Sequence, residues 1–223
     1  MRFEVITLFP KVCSAYLAES ILKRAREKGL LSFAVHNPRD YTRDSRRRVD
    51  GRAYGGGPGM VLAAEPILKT LAAIRTGKGT KEKVILFSAR GRQFDAKMAA
   101  DWAKRYDRII MIAGRYEGVD ERIAKILQAT SYKLQAISIG PYVLTGGELP
   151  ALTVIDAVAR HIPGVLGKKE SLEERRLGVG VPVYTRPEIL EWKKKKYRVP
   201  QVLLSGDHRN IEAWRKEKRK KSS

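Results

Sequence analysis

The sequence predicts an α/β fold with a mainly parallel sheet, and three observations carry that prediction. Short apolar runs rich in β-branched residues recur through residues 1–163, segments with apolar residues at helical spacing alternate with them, and glycine-rich loops follow several of the runs. At 223 residues, 43% hydrophobic and 31% charged, the chain can bury a sizeable core, which excludes collagen, disulfide scaffolds and wholly disordered chains.

The elements follow in order. Residues 2–8 (RFEVITL) form a strand by length and β-branched content, closed by Pro10. Val12, Tyr16, Leu17, Ser20, Ile21 and Ala25 recur near helical spacing, and Gly29 stands where a C-terminal cap belongs, so one helix is expected here. Leu31 to His36 reads as a second strand. From Asn37 to Met60 no period survives, and a loop this long in a compact domain is usually functional or mobile. A helix over Ala64 to Ile74, a strand at 83–88, a helix at 95–104 and a strand at 108–113 come next. A helix at 118–127, a strand at 132–139 and a helix at 149–161 complete the alternation, which places ligands beyond the carboxyl ends of the strands.

After Pro163 the chain changes character. Residues 164–182 hold glycine and charge without an apolar face and read as a linker between a domain at 1–163 and a small basic helical domain at 183–223. In the latter, helical stretches are expected near 187–192 and 208–219, with KKKK at 193–196 and RKEKRKK at 215–221.

Charge narrows the partners. Lys and Arg number 45 against 24 Asp and Glu, a net charge of +21, and such a field draws polyanions, nucleic acid or anionic lipid, of which nucleic acid is favoured because no amphipathic anchor is evident. Heat-adapted surfaces, the bland alternative, usually balance Lys against Glu, which this chain does not do. No window approaches the roughly 18 apolar residues of a membrane span, and MRFEVITLFP is too short and too charged for a signal peptide, so a cytosolic nucleic-acid partner is expected. Cys13 is the single cysteine, which leaves no internal disulfide and no zinc spacing; it reads as a buried thiol.

Three loops carry candidate chemistry. Residues 43–60 (RDSRRRVDGRAYGGGPGM) place five arginines before four glycines and a proline. Arginine forks pair with phosphate oxygens and glycine permits close backbone approach, although a flexible solvated loop is an equal alternative. The segment lacks the GxxxxGK[ST] of a nucleotide P-loop, which Gly77-Lys78-Gly79-Thr80 does not supply either. Gly114 to Arg122 (GRYEGVDER) follows a strand and opens a helix; its acids either complement the helix N-terminus or, in the case of Glu117, accept hydrogen bonds from a substrate. Ser138 to Pro150 (SIGPYVLTGGELP) repeats the arrangement of strand, glycine loop and helix, which offers backbone groups to a small ligand. Arg160 closes the last helix, where an isolated arginine is best explained by the negative helix end.

Together with ITLFP, PRDYTRD, VDGRAYGGGPGM, IAGRYEGVDER, SIGPYVLTGGELPALTVIDAVARHIPGVLG, YTRPEIL and LLSGDHRNIEAWR, these loops make the sequence resemble the bacterial tRNA (guanine-N1)-methyltransferases of the SPOUT class. The resemblance spans nearly the whole chain. It implies a deep trefoil knot in the C-terminal part of the α/β domain and a homodimer with its active site at the subunit interface. The activity it implies is methylation of N1 of guanosine 37 in tRNA bearing guanosines at positions 36 and 37. S-adenosylmethionine would be held by Phe87, Ser88 and Ala89, by Gly114, Tyr116 and Glu117, and by Ile139, Gly140, Pro141, Tyr142, Val143, Leu144, Gly146, Gly147 and Pro150. Expected tRNA contacts are Arg46, Asp50, Arg52, Tyr54, Gly55, Gly56, Ser171 and Arg186, with the C-terminal segment gripping the RNA. A magnesium requirement is implied too, with Glu117 and linker carboxylates as neighbours, although the sequence forms no dedicated metal cage.

The chemistry agrees with these residue types. Guanine N1 is a poor nucleophile while it keeps its proton, so a general base is needed; charge then builds on O6, where a fixed arginine would stabilise it. Arg160 matches the family arginine given that role. The family base is an aspartate four residues after a serine; four residues after Ser171 stands Arg175, and the nearest carboxylates are Glu174 and Glu173, of which Glu174 is the candidate. Ala89 stands where the family typically has proline and Pro141 where it has aspartate, and the chain ends earlier than typical members, which would weaken the RNA grip unless the basic tail compensates. The missing aspartate keeps two alternatives open: a tRNA-binding protein without catalysis, or methylation of another RNA base.

Overall fold

The computed structural model of the protein describes residues 1–74, 80–130, 132, 134–167 and 181–220. The chain divides into two compact units, Met1–Gly167 and Lys168–Ser223.

The first unit is built on a five-stranded parallel sheet in the order β2 (Ser32–His36), β1 (Arg2–Ile6), β6 (Arg108–Ile112), β5 (Glu82–Gln93), β7 (Gln135–Ser138). The central strand β6 is buried at every residue, as a parallel strand covered on both faces must be. Its side chains alternate between two cores. Ile109 and Met111 join Phe3, Val5 and Ile85 beneath α1 (Pro10–Leu17), α2 (Ser20–Glu27), α4 (Ala96–Arg105) and α6 (Glu148–Ala159). Ile110 and Ile112 join Ile6 and Val84 on the opposite face, under α3 (Ala64–Ile74) and α5 (Arg122–Gln128).

Several expectations change at this level. The single helix expected before Gly29 is two, because Ser20 takes a left-handed backbone (φ 52°). Cys13 and Leu17 are buried in α1, Leu22 and Ala25 in α2. In one unbroken helix the five-residue step from Leu17 to Leu22 would swing Leu22 about 140° off the buried face. The α5 helix opens at Arg122 rather than 118, after a turn in which Gly118 has φ 128° and the Asp120 carboxylate accepts from the Arg122 amide at 2.9 Å. The aperiodic stretch 37–60 is not wholly irregular: a turn of 3₁₀ helix (Pro38–Asp40) and an antiparallel pair, β3 (Asp50–Arg52) with β4 (Met60–Leu62), are too short to show a period. Val165, read as linker, packs into the first core; residues 168–180 of that linker lie outside the described residues.

The β5 strand runs past its expected end at Ser88 to Gln93, and its pairing with β7 is interrupted, Phe87 and Arg92 both standing opposite Ile137. The chain between them bows out as a loop and returns so close that a Cβ on Gly91 would lie 2.5 Å from the Ile137 amide nitrogen. Only glycine permits that passage.

The sheet is pinned at one end by buried charge. Glu4 is 0% exposed and Arg108 1%; Arg108 Nε donates to Glu4 Oε1 at 2.7 Å, its Nη1 donates to Glu82 at 2.7 Å, and His36 Nε2 lies 2.8 Å from the other Glu4 oxygen. Burial pushes the Glu4 carboxyl up, but the His36, Arg108 and Arg2 partners outweigh it and hold it below the usual carboxylate value.

In the second unit the helix expected near 187–192 is instead a strand, β8 (Ile189–Trp192), in an antiparallel hairpin with β9 (Lys195–Arg198). The two-residue turn between them is Lys193-Lys194, both left-handed (φ 47° and 63°). Such turns normally announce themselves with Asn-Gly or Asp-Gly, so a lysine run conceals this one. The α7 helix (His208–Lys220) matches the helix expected at 208–219.

Candidate active site

Two loops leave the carboxyl ends of β6 and β7, a third bows out within the adjacent strand β5, and the three enclose a cavity of about 300 Å³. Its walls include Phe87, Ser88 and Ala89 from the β5 bulge, Gly114, Tyr116 and Glu117 after β6, and Ile139, Gly140, Tyr142, Val143, Leu144, Gly146, Gly147 and Pro150 after β7. Every residue expected to hold the cofactor therefore lines one space, except Pro141, which does not reach the wall. Leu86, Ile137 and Val119 add apolar surface, while Arg90 and Glu121, 3.0 Å apart in an ion pair, add charge.

The loops are tied to one another through backbone. The Gly147 amide donates to the Gly114 carbonyl at 2.9 Å, and Arg115 bridges to Gly146. A Cβ on Gly147 would lie 2.6 Å from Ala113 Cα, so the two loops touch at a distance only glycine allows. Ser138 Oγ donates to the Gly140 carbonyl at 2.9 Å, turning the third loop tightly out of β7.

Beneath the cavity lies a buried polar group that motif reading did not single out. Glu148, 1% exposed, receives the Thr7 hydroxyl at 2.5 Å. Arg115 Nε stands 2.9 Å from its second oxygen, close enough for an ion pair but without the alignment of a hydrogen bond. The same guanidinium donates through Nη1 to the Thr145 carbonyl at 3.2 Å and lies 4.5 Å over the Phe9 ring. Arg115 thus joins the second and third loops to each other and to the segment that follows β1. A carboxylate in the first turn of a mostly apolar helix, ELPALTVIDAVA, is the signal that would have found it. Cys13 is nearby: burial and the Glu148 charge push its thiol up to about 11, against a smaller opposing effect of Arg115, so it stays protonated and inert at neutral pH.

The arginine–glycine loop meets this cavity at its rim. The Glu117 amide donates to the Met60 carbonyl at 3.1 Å, and the Leu62 amide to the Gly118 carbonyl at 3.0 Å. A Cβ on Gly59 would fall 2.2 Å from Glu117 Cγ. Arg46, Arg52, Tyr54, Gly55 and Gly56 are exposed and Asp50 is partly so. Arg47 pairs with Asp40, and Arg48 with Asp44 at 2.7 Å.

Arg160 does not converge on the cavity within one chain. It caps α6, whose twelve residues carry it about 18 Å along the helix axis from the loop at the other end. There it lines a second cavity of about 180 Å³ with Tyr16, Glu19 and Asp156. Arg186 is exposed in the second unit, while Ser171, Glu173, Glu174 and Arg175 lie outside the described residues. Among the described residues no three His, Cys, Asp or Glu side chains gather to hold a metal ion, and no helix is long and apolar enough to cross a membrane.

The comparisons with known proteins agree with one another. The chain matches the family model described as tRNA (Guanine-1)-methyltransferase TrmD over residues 1–223. It is 46% identical over 224 residues to a tRNA (guanine-N(1)-)-methyltransferase of Colwellia psychrerythraea, covering 97% of this chain and 86% of the relative. Against the proteins of that name from Dictyoglomus turgidum and Clostridioides difficile it is 45% and 43% identical, covering 97% of this chain in each case and 84% and 91% of the relatives. With the match running from the first residue to the last, and three loops folded around one cavity beside an arginine-rich loop, this chain belongs to the tRNA (guanine-1)-methyltransferase family.

Proposed function

We propose that this chain, as a cytosolic homodimer, methylates N1 of guanosine 37 in tRNA that carries guanosines at positions 36 and 37, with S-adenosylmethionine as donor. As a family member it is a tRNA (guanine-N1)-methyltransferase. The observation that carries the fuller reading is the convergence of the three loops on one cavity whose rim is the arginine–glycine loop.

The cavity suits the donor. Leu86, Ile137, Val119 and Pro150 provide apolar surface for an adenine, peptide groups of the loops that line the cavity provide its hydrogen-bond partners, and Glu117 provides negative charge for a cationic ligand. When bound, S-adenosylmethionine supplies a methyl group activated by its sulfonium.

On the RNA side, exposed Arg46 and Arg52 meet phosphates, and Gly59 docks their loop on Glu117, which brings the guanine to the donor cavity. Arg160 stabilises the charge that develops on guanine O6, and Glu174 takes the N1 proton. Because Arg160 stands far from the cavity of its own chain, it serves the cavity of a second copy. Exposed Phe9, Val12, Tyr16, Val143 and Leu149, on and around the packed helices α1 and α6, supply the apolar face such a dimer would bury. Magnesium, expected by resemblance, finds no cluster of ligating side chains among the described residues, and no step of the reaction is assigned to it.

The test is incubation with S-adenosylmethionine and an unmodified tRNA transcript, with nucleosides analysed by mass spectrometry. 1-Methylguanosine is expected, and none should form on a transcript with adenosine at position 37. Tight tRNA binding with no product at any enzyme concentration would favour the alternative raised by Arg175, an RNA-binding member without catalysis.

A further inference from the structure

We propose that the open face of the β8–β9 hairpin is a stacking platform for unpaired nucleotides of the RNA substrate, with Trp192 and Tyr197 taking base faces and the lysines around the turn taking phosphates. The inference rests on the reading of tRNA as substrate and adds to it where, and by what contact, the second unit meets the RNA.

Register places the residues. Leu190 stands opposite Tyr197 and Trp192 opposite Lys195; directly opposed residues of an antiparallel pair share a face, and positions two apart along a strand share it too. One face of the hairpin is therefore Leu190, Trp192, Lys195 and Tyr197. The other carries Ile189, Arg198 and the ion pair of Glu191 with Lys196 at 3.2 Å.

The first face is open. Leu190 is 55% exposed, Trp192 63% and Tyr197 53%. The second unit packs with different aromatics: Tyr184 and Trp214 lie 6.4 Å apart, with the Lys218 ammonium 5.8 Å from the Trp214 ring. A contiguous row of Leu, Trp and Tyr left to water on a two-stranded hairpin marks a contact surface.

Charge selects the occupant. Lys193 and Lys194 form the turn and Lys195 follows, and none of the three makes an ion pair among the described residues. Aromatic faces framed by unpaired lysines suit a single strand, whose bases offer π-faces and whose phosphates offer negative charge at short intervals. A duplex hides its bases and offers only the phosphates.

The experiment uses the full chain and two RNAs, an unstructured oligonucleotide of about eight nucleotides and a duplex of matched charge. Trp192→Ala is expected to weaken oligonucleotide binding by about five- to 150-fold and to leave duplex binding within about twofold, while Trp192→Phe retains most of the affinity. Lys193→Gln with Lys194→Gln should weaken both RNAs and lower the salt slope by about one to two. Without any variant, inorganic polyphosphate of the same charge should bind the wild-type chain at least about fivefold more weakly than the oligonucleotide.

Equal binding of polyphosphate and oligonucleotide, or equal losses for duplex and single strand in Trp192→Ala, would overturn the platform. So would sedimentation showing that Trp192→Ala converts a dimer to a monomer, because the face would then be a contact between copies. If the wild-type chain bound no tRNA, the substrate reading itself would fail; tRNA methylation and oligonucleotide binding unchanged in Trp192→Ala would remove the platform alone.

Discussion

Glu148→Gln tests whether the polar group under the cavity holds the loops. Glutamine keeps the shape and an acceptor for Thr7 but removes the charge facing Arg115. Breaking a fully buried pair costs about 3–5 kcal/mol. Here Arg115 is 23% exposed, keeps its bond to the Thr145 carbonyl and its place over Phe9, and meets Glu148 without hydrogen-bond alignment. The expected loss is therefore smaller, about 2 kcal/mol, or a Tm lower by about 4–8 °C for a unit of this size. Scanning calorimetry reads the stability, and titration with S-adenosylmethionine reads the loops, whose donor affinity should fall. Glu148→Leu combined with Arg115→Met should recover most of the stability, since an apolar pair replaces a buried ionic one at little cost, while donor binding stays weakened. A Tm within about 1 °C of wild type and unchanged donor affinity in Glu148→Gln would refute the argument.

Gly147→Ala forces a Cβ against Ala113 backbone at 2.6 Å, which neither loop can yield to; donor binding should be lost with about 2 kcal/mol or more of stability, and a normal binding isotherm would show that the loops part freely. Glu4 contributes to stability in the direction its environment dictates. Its folded value lies below the ordinary carboxylate value, so its contribution is full above that ordinary value and disappears as pH falls through the folded one. Denaturant titrations from pH 7 to pH 3 should show wild type losing stability faster than Glu4→Gln in the acid range, and parallel profiles would contradict this. In the proposed reaction, Arg160→Ala should abolish turnover with donor affinity nearly intact, and Glu174→Gln should slow single-turnover methylation by at least about a hundredfold while Glu173→Gln is nearly silent; the reverse order would reassign the base. Affinity for tRNA should fall steeply with salt, by about one unit of log–log slope per phosphate neutralised, and a flat profile would detach the 43–60 loop from the RNA.

Much of the site is written locally. A strand of five residues, a glycine loop and a helix leave a periodic trace, which is why the loops at 114–122 and 138–150 and their ends on the sheet are legible from residues alone. The break at Ser20 and the hairpin at 189–198 were not. The first depends on which face of α1 and α2 the core accepts, and the second on a left-handed turn that lysines do not advertise.

The sequence by itself determined the alternation of strands and helices, the excess of positive charge and the three glycine loops, because each is set by neighbours a few residues apart. Tertiary structure alone decided that the Thr7 hydroxyl donates to Glu148, 141 positions away, that Gly59 packs against Glu117, and that Arg160 stands at the far end of α6 from the cavity its own helix helps to build. Those relations come from packing the sheet's two faces and bringing its strand ends together, and no local pattern of residues encodes a distance across the fold.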